Sequence, residues 1–125
     1  RLADIILLRA ELKVKTGDDA GAIKDLNRIR GRAGCAPYNV TVDGNLAGAV
    51  QDERDREFFC EGVTIHYFDV VRNGTFRERL RGHFKTLTEK DVEEGALFLP
   101  VSRLAFRNNT LMLQTPYWKR NGYAY

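Results

Sequence analysis

The run Asp52-Glu53-Arg54-Asp55-Arg56-Glu57-Phe58-Phe59-Cys60-Glu61-Gly62, continuing into His66-Tyr67-Phe68-Asp69-Val70-Val71-Arg72-Asn73-Gly74, constrains the fold more than any other stretch. It opens as dense alternating charge and closes as an aromatic, apolar run. Side chains three or four places apart are neighbours on a helix, so Glu53 faces Arg56. Glu57 and Glu61 face each other as like charges that need a cation from elsewhere. A helix this charged that leads into Phe58, Phe59, Tyr67 and Phe68 is not merely a solvated surface. Its charges are expected to be shared with neighbouring helices.

The rest of the chain supplies those neighbours. From Arg1 to Lys15, Leu2, Ile5, Ile6, Leu8 and Leu12, with Ala3, Leu7, Ala10 and Val14 between them, cover more than one face. This predicts a helix packed on two sides. Thr16-Gly17 ends it and Asp18 or Asp19 caps the next. The second helix, about Ala20 to Ala33, carries Ala22, Ile23, Leu26, Ile29 (or Arg30) and Ala33 at helical spacing and stops at Gly34. Two helices joined by so short a link must lie antiparallel, as a helical hairpin. Cys35 to Asn45 reads as a loop with a short extended piece. A third helix then runs from near Leu46, capped by Asn45, to about Glu61, where Gly62 bends or breaks it. A segment from about Ile65 to Arg72 follows and stops at Asn73-Gly74.

Beyond Thr75 the signals thin. Arg77-Glu78-Arg79-Leu80-Arg81 is a charged run, and Thr88-Glu89-Lys90-Asp91 marks a turn or a helix start. Ala96 to Val101 reads as an apolar extended piece closed by Pro100, and Ser102 to Phe106 as a single helical turn. The tail from Asn108 to Trp118, punctuated by Asn and Pro, reads as irregular. The expected fold class is mainly α, with helical hairpins, long irregular loops and no substantial sheet. At 125 residues there is room for one domain, 1–125. The chain begins without Met inside a helical pattern, as a piece of a longer protein would.

Composition excludes several classes. The net charge of +3, with acids and bases interleaved, leaves no broad basic face for nucleic acid. No apolar run approaches the ~20 residues that span a bilayer. Cys60, on the helical pattern, reads as a small buried hydrophobe and Cys35 as a loop residue; spacing alone leaves a disulfide between them open. A metal would need Cys60, His66, Asp69 and the distant His83 to converge without any recognised ligand motif, so none is expected. Cys60 with His66 as base is a weaker reading than inert packing. Glu53, Glu57, Glu61 and Asp69 are eligible for a hydrolytic carboxylate pair. Each has an arginine close by, and ionic pairing is the simpler reading. The arginines Arg54, Arg56, Arg72 and the run from Arg77 to Arg81 have acidic neighbours and fit an intramolecular network better than a phosphate site. The tail aromatics Tyr117, Trp118, Tyr123 and Tyr125 fit core or end packing better than stacking on sugars. No catalytic residue, cofactor or metal is expected.

Read together, the motifs resemble the C-terminal region of SusD/RagB-like outer-membrane proteins. Arg1 to Glu11 is similar to that region's first helix. Leu26-Asn27-Arg28-Ile29-Arg30-Gly31-Arg32-Ala33-Gly34 matches its Leu-Asn-x-x-Arg-x-Arg-Ala-Gly pattern. Glu53, Arg54, Glu57, Glu61 and Gly62 match Glu-Arg-x-x-Glu-x-x-x-Glu-Gly. The family's Asp-Leu-x-Arg-x-Gly element is seen here as Asp69-Val70-Val71-Arg72-Asn73-Gly74, which keeps Asp69, Arg72 and Gly74. Leu97 to Val101 and Asn109 to Tyr117 are similar to its closing elements. The departures are Gly62-Val63-Thr64 for Gly-x-Arg, Asn73 for Trp, Leu99 for Pro, and Pro116-Tyr117 without the intervening Gly.

The resemblance implies TPR-like hairpins and a lipoprotein on the outer leaflet of the outer membrane, facing outside. It implies a glycan- or nutrient-binding component, not an enzyme, that acts with a SusC-like TonB-dependent transporter. Nucleic acid is not a partner, and membrane contact comes only through a lipid anchor outside this part of the chain. Glu53, Arg54, Glu57, Glu61, Gly62, Asp69 and Arg72 are carried over as a structural signature; no ligand-binding residue is. The competing reading is a TPR-like scaffold that binds a protein or peptide.

Overall fold

The structure, a computed structural model, describes residues 1–61, 63–79, 86–107, 109 and 111–123, with the side chains of 63–65 also outside the description. Gly62, Leu80, Arg81, His83, Asn108, Thr110 and Tyr125 therefore lie outside the described residues. What is described is helical, with no strand among the described residues. The chain forms two compact units, Arg1–Asp69 and Val70–Tyr125.

In the first unit, α1 (Leu2–Thr16) and α2 (Asp19–Arg32) form the expected hairpin. Local chemistry sets the turn. Gly17 takes φ 83°, and the Asp18 amide donates to the Lys13 carbonyl at 2.9 Å. The Asp18 carboxylate then accepts from the Gly21 amide at 2.9 Å. A Cβ on Gly21 would stand 2.1 Å from that carboxylate, which would have to shift to admit it. Ala3, Ile6, Leu7 and Ala10 form one face of α1, and they meet Leu26 and Ile29 of α2. Ala49 and Val50 of α4 (Leu46–Glu57), with Phe58, complete this core. The small alanines at the contacts let the helix backbones approach closely.

The second apolar face of α1 is not covered. Leu2, Ile5 and Leu12 are 68%, 62% and 62% exposed.

The loop after α2 departs from the expected extended piece. Residues Val40–Asp43 form one helical turn, α3, because polar side chains bind the local amides first. The Asn39 side chain accepts from Thr41, and the Asp43 carboxylate accepts from the Asn39 amide, each at 2.9 Å. Asn27 and Arg30 of α2 tie this loop down by accepting from the Tyr38 amide and donating to the Ala36 carbonyl, at 2.7 and 2.8 Å.

Asn45 caps α4 as expected, accepting from the Gly48 amide at 2.7 Å. The helix ends at Glu57, four residues earlier than the charge pattern suggested. Phe58 turns into the core, and the Glu61 amide donates to the Phe58 carbonyl across a tight turn. Cys60 takes a left-handed φ of 63° in that turn. It is neither helical nor buried: both Cys60 and Cys35 are exposed free thiols. α5 (Val63–Arg72) follows, with the boundary of the two units inside it.

In the second unit, Val70, Phe76, Leu87, Ala96 and Leu97 form a separate core, with Val92 and Tyr117 against it. α6 (Phe76–Arg79) is one turn. α7 (Glu89–Glu93) starts with a reciprocal cap: Thr88 and Asp91 bind each other's backbone amides. Ala96 to Val101 does not become a strand, because the amide side chain of Gln114 takes both polar backbone groups of Val101, at 3.2 Å each. α8 is the single turn Arg103–Phe106. The tail, expected to be irregular, instead holds α9 (Pro116–Arg120). Proline stands at the first helical position, where its fixed φ starts a turn and its missing N–H costs nothing. Trp118 packs edge-on between Tyr117 and Tyr123, at 5.0 and 5.2 Å, and its indole N–H donates to the Phe98 carbonyl.

Leu26→Ala, which opens a cavity in the first core, should lower stability by about 2–5 kcal/mol, whereas Leu12→Ala on the open face should stay within about 0.5 kcal/mol. Urea unfolding of both variants measures the difference.

Candidate functional site

The polar chemistry of the first unit is concentrated where helices cross. Asp25 of α2 sits on the same helical face as Ala22, Leu26 and Ile29 and is only 4% exposed. A carboxylate there has to be paired. Arg9 of α1 grips it through two bonds, at 2.8 and 2.6 Å, and Lys13 adds a third at 2.9 Å. The Arg9 hydrogen bonds hold the Asp25 carboxyl below its ordinary pKa; burial opposes this, and Lys13 reinforces it. Asp25 raises the Arg9 guanidinium in return, first through its hydrogen bonds. The sequence reading did not single out Asp25. Its place within the apolar face of α2 was the signal that could have found it.

Arg54 of α4 is a buried charge, 3% exposed. Its Nε donates to Asp69 at 2.7 Å and its Nη1 to Asp4 of α1 at 2.8 Å. Its guanidinium lies 5.4 Å from the Phe58 ring centre, which adds a cation–π contact. Burial works against the charge of Arg54. The hydrogen bonds and charges of Asp69 and Asp4 outweigh it, so the pKa stands above its ordinary value. Asp69 is also 3% exposed.

Each remaining carboxylate of the motif has a cation of its own. Glu53, 5% exposed, takes Arg56 one turn later on the same helix, at 3.2 Å. Glu57 binds Arg32, at the end of α2, through both oxygens at 2.5 Å. Glu61 pairs with Arg1. The like charges of Glu57 and Glu61 are thus relieved by cations from the end of α2 and from the residue that precedes α1. Arg72 is exposed at the end of α5. Gly62 is outside the described residues.

This arrangement gathers the motif into a framework and not into a cleft. Glu53, Glu57, Glu61 and Asp69, the candidates for a hydrolytic pair, are bound to four different arginines. His66 does not join Asp69: its Nδ1 lies 2.7 Å from Asp55. Among the described residues no three His, Cys, Asp or Glu side chains form a metal-binding group. In the second unit Arg77 binds Glu89 and the Leu87 carbonyl, and Arg120 binds both Asp91 and Glu94, at 2.5 and 2.6 Å. The Asp91 carboxyl is held below its ordinary pKa mainly by the Thr88 hydroxyl and amide.

The chain matches the model of the SusD family over residues 1–118, and it belongs to that family. Members are binding proteins rather than typical enzymes and are associated with the outer-membrane surface. Comparison with curated proteins gives no match, and neither does comparison with solved structures. No described helix is long and apolar enough to cross a membrane.

The ties differ in worth by burial. Arg54→Ala takes the Arg54 guanidinium away from the buried Asp69 carboxylate and should cost about 3–5 kcal/mol. Glu57→Ala leaves Arg32, whose side chain is 60% exposed, to return to water, and should cost less than about 1 kcal/mol. Urea unfolding separates the two. Asp25 gives a pH test. Its folded pKa is depressed, so its contribution is present above the unfolded value of about 4 and lost as pH falls through the lower folded value. Asp25→Asn should flatten the fall in stability below about pH 4, read as melting temperature against pH.

Proposed function

We propose that the protein is the glycan- or nutrient-binding surface component of a SusC/SusD-like, TonB-dependent uptake complex. The observation that carries this reading is the match to the SusD family over residues 1–118. The protein works beside a SusC-like transporter, as the C-terminal part of a longer chain anchored by lipid in the outer leaflet of the outer membrane. It captures an oligosaccharide or another nutrient without chemical change. The residues from Glu53 to Arg72 serve this indirectly: they lock the helices on which ligand- and transporter-contacting surfaces are mounted. A rigid mount limits the ordering cost of each binding event.

A second reading has one observation in its favour. The uncovered stripe of Leu2, Ile5 and Leu12 along α1 would suit a TPR-like scaffold that takes a helix or peptide.

Gentle detergent extraction from source membranes, capture of the native protein, and mass analysis of what accompanies it separate the two. A TonB-dependent transporter and a lipid-modified N-terminal cysteine are expected, with calorimetric binding of the glycans whose uptake the complex serves. Recovery of an unlipidated protein, with peptide partners and no transporter, would overturn the proposal in favour of the scaffold.

A further inference from the structure

Within the second unit, α9 is held down mainly by polar contacts. With five residues it falls below the ~12 at which a helix begins to hold its own shape in water. Tyr117 anchors it against the core of Val70, Phe76, Leu87, Ala96 and Leu97. Hydrogen bonds and charge do the rest. The Tyr117 amide donates to the Glu94 carbonyl at 3.1 Å, and the Trp118 indole N–H donates to the Phe98 carbonyl at 2.5 Å. Arg120 spreads its two Nη atoms over Asp91 and Glu94, at 2.5 and 2.6 Å, and lies 5.8 Å from the Tyr117 ring centre. Its side chain is 47% exposed, so water competes with both carboxylates and the clasp is weak.

Closure also carries a local cost. Thr115, the residue that precedes the helix, has its hydroxyl buried with no hydrogen-bond partner among the described residues. The hydroxyl does not cap α9. Close packing shuts it in: Gly95 stands so near that a Cβ there would lie 2.9 Å from the Thr115 Cβ. A hydroxyl taken from water without a partner opposes the closed arrangement, and opening returns it to water. The clasp and the stranded hydroxyl therefore pull against each other on one short helix.

We propose that α9 is a detachable strap that opens as a local unit, with Arg120 as its clasp and the Thr115 hydroxyl as the group that favours release. Opening withdraws Tyr117 from the second core and bares the apolar side it covered, while the α1–α2 hairpin stays folded. Local openings of this kind lie below global unfolding in free energy. The far end of the clasp is fixed, because Asp91 also caps α7 by accepting from the Thr88 amide at 2.9 Å. The strap is built within the second unit alone, and it stands whether or not the uptake role does.

The test is hydrogen exchange of the whole protein, read by mass spectrometry on peptides that cover Thr115 to Tyr123. Their amides should exchange faster than those of α2, at a rate that low urea hardly changes, because a local opening exposes little surface. Arg120→Gln, which takes the charge out of the clasp, should speed this exchange about fivefold. Thr115→Val, which keeps the shape and removes the hydroxyl, should slow it about fivefold. A helix end that merely frays would not be slowed by that change. Unaltered exchange in α2 shows that each variant is folded, and Thr115→Val carries the test even if Arg120→Gln disturbs the unit. Exchange no faster than in α2, a rate as urea-dependent as global unfolding, no slowing in Thr115→Val, or no change in a folded Arg120→Gln would each overturn the proposal.

Discussion

Arg54 is the interaction on which the first unit depends. One guanidinium, 3% exposed, reaches Asp4 near the start of α1 and Asp69 in α5, while its own helix packs Ala49 and Val50 into the core. Burying a charge costs several kcal/mol, and only close, well-aligned partners offset that. Such a tie therefore adds little net stability over an apolar core. What it adds is selectivity: an arrangement that separates Arg54 from Asp69 gives up the close pairing of two buried charges. Apolar side chains could slide past one another with smaller loss.

The other ties repeat the pattern with decreasing burial, from Arg9 and Lys13 on Asp25 to Arg32 on Glu57 and Arg1 on Glu61. Within the dense charge between Asp52 and Glu61, Glu53 and Arg54 are thus the buried members, at a junction of helices. That is why it offers no convergent acid–base pair. In a family of binding proteins this division is economical: the helical frame is set by paired charge, which leaves the loops and uncovered faces to meet ligands and partners.

What was legible in the sequence was local. The α1–α2 hairpin follows from Gly17 and Asp18, and the caps at Asn45 and Thr88 from side chains that satisfy nearby amides. The all-helical character and the family were legible too, from helical periodicity and from motifs in order. What was not legible depended on competition between neighbours. The helical periodicity runs past Glu57, but Phe58 gains more by entering the core than by continuing the helix, which throws Cys60 outward. The tail carries turn residues, yet Pro116 in it starts a helix. The apolar run that ends at Val101 has strand composition, but the Gln114 side chain takes the amide and carbonyl of Val101. Asp25 hid because only the packed hairpin shows that Arg9 and Lys13 reach it.

The central claim is that the Arg54–Asp69 pair acts as one unit. A double-mutant cycle with Arg54→Met and Asp69→Asn, followed by urea unfolding, tests it most directly. The pair acting as a unit predicts that the double variant loses about 2–3 kcal/mol less than the two single losses together. Losses that add within about 0.5 kcal/mol would contradict it and make the buried charges independent passengers of the fold.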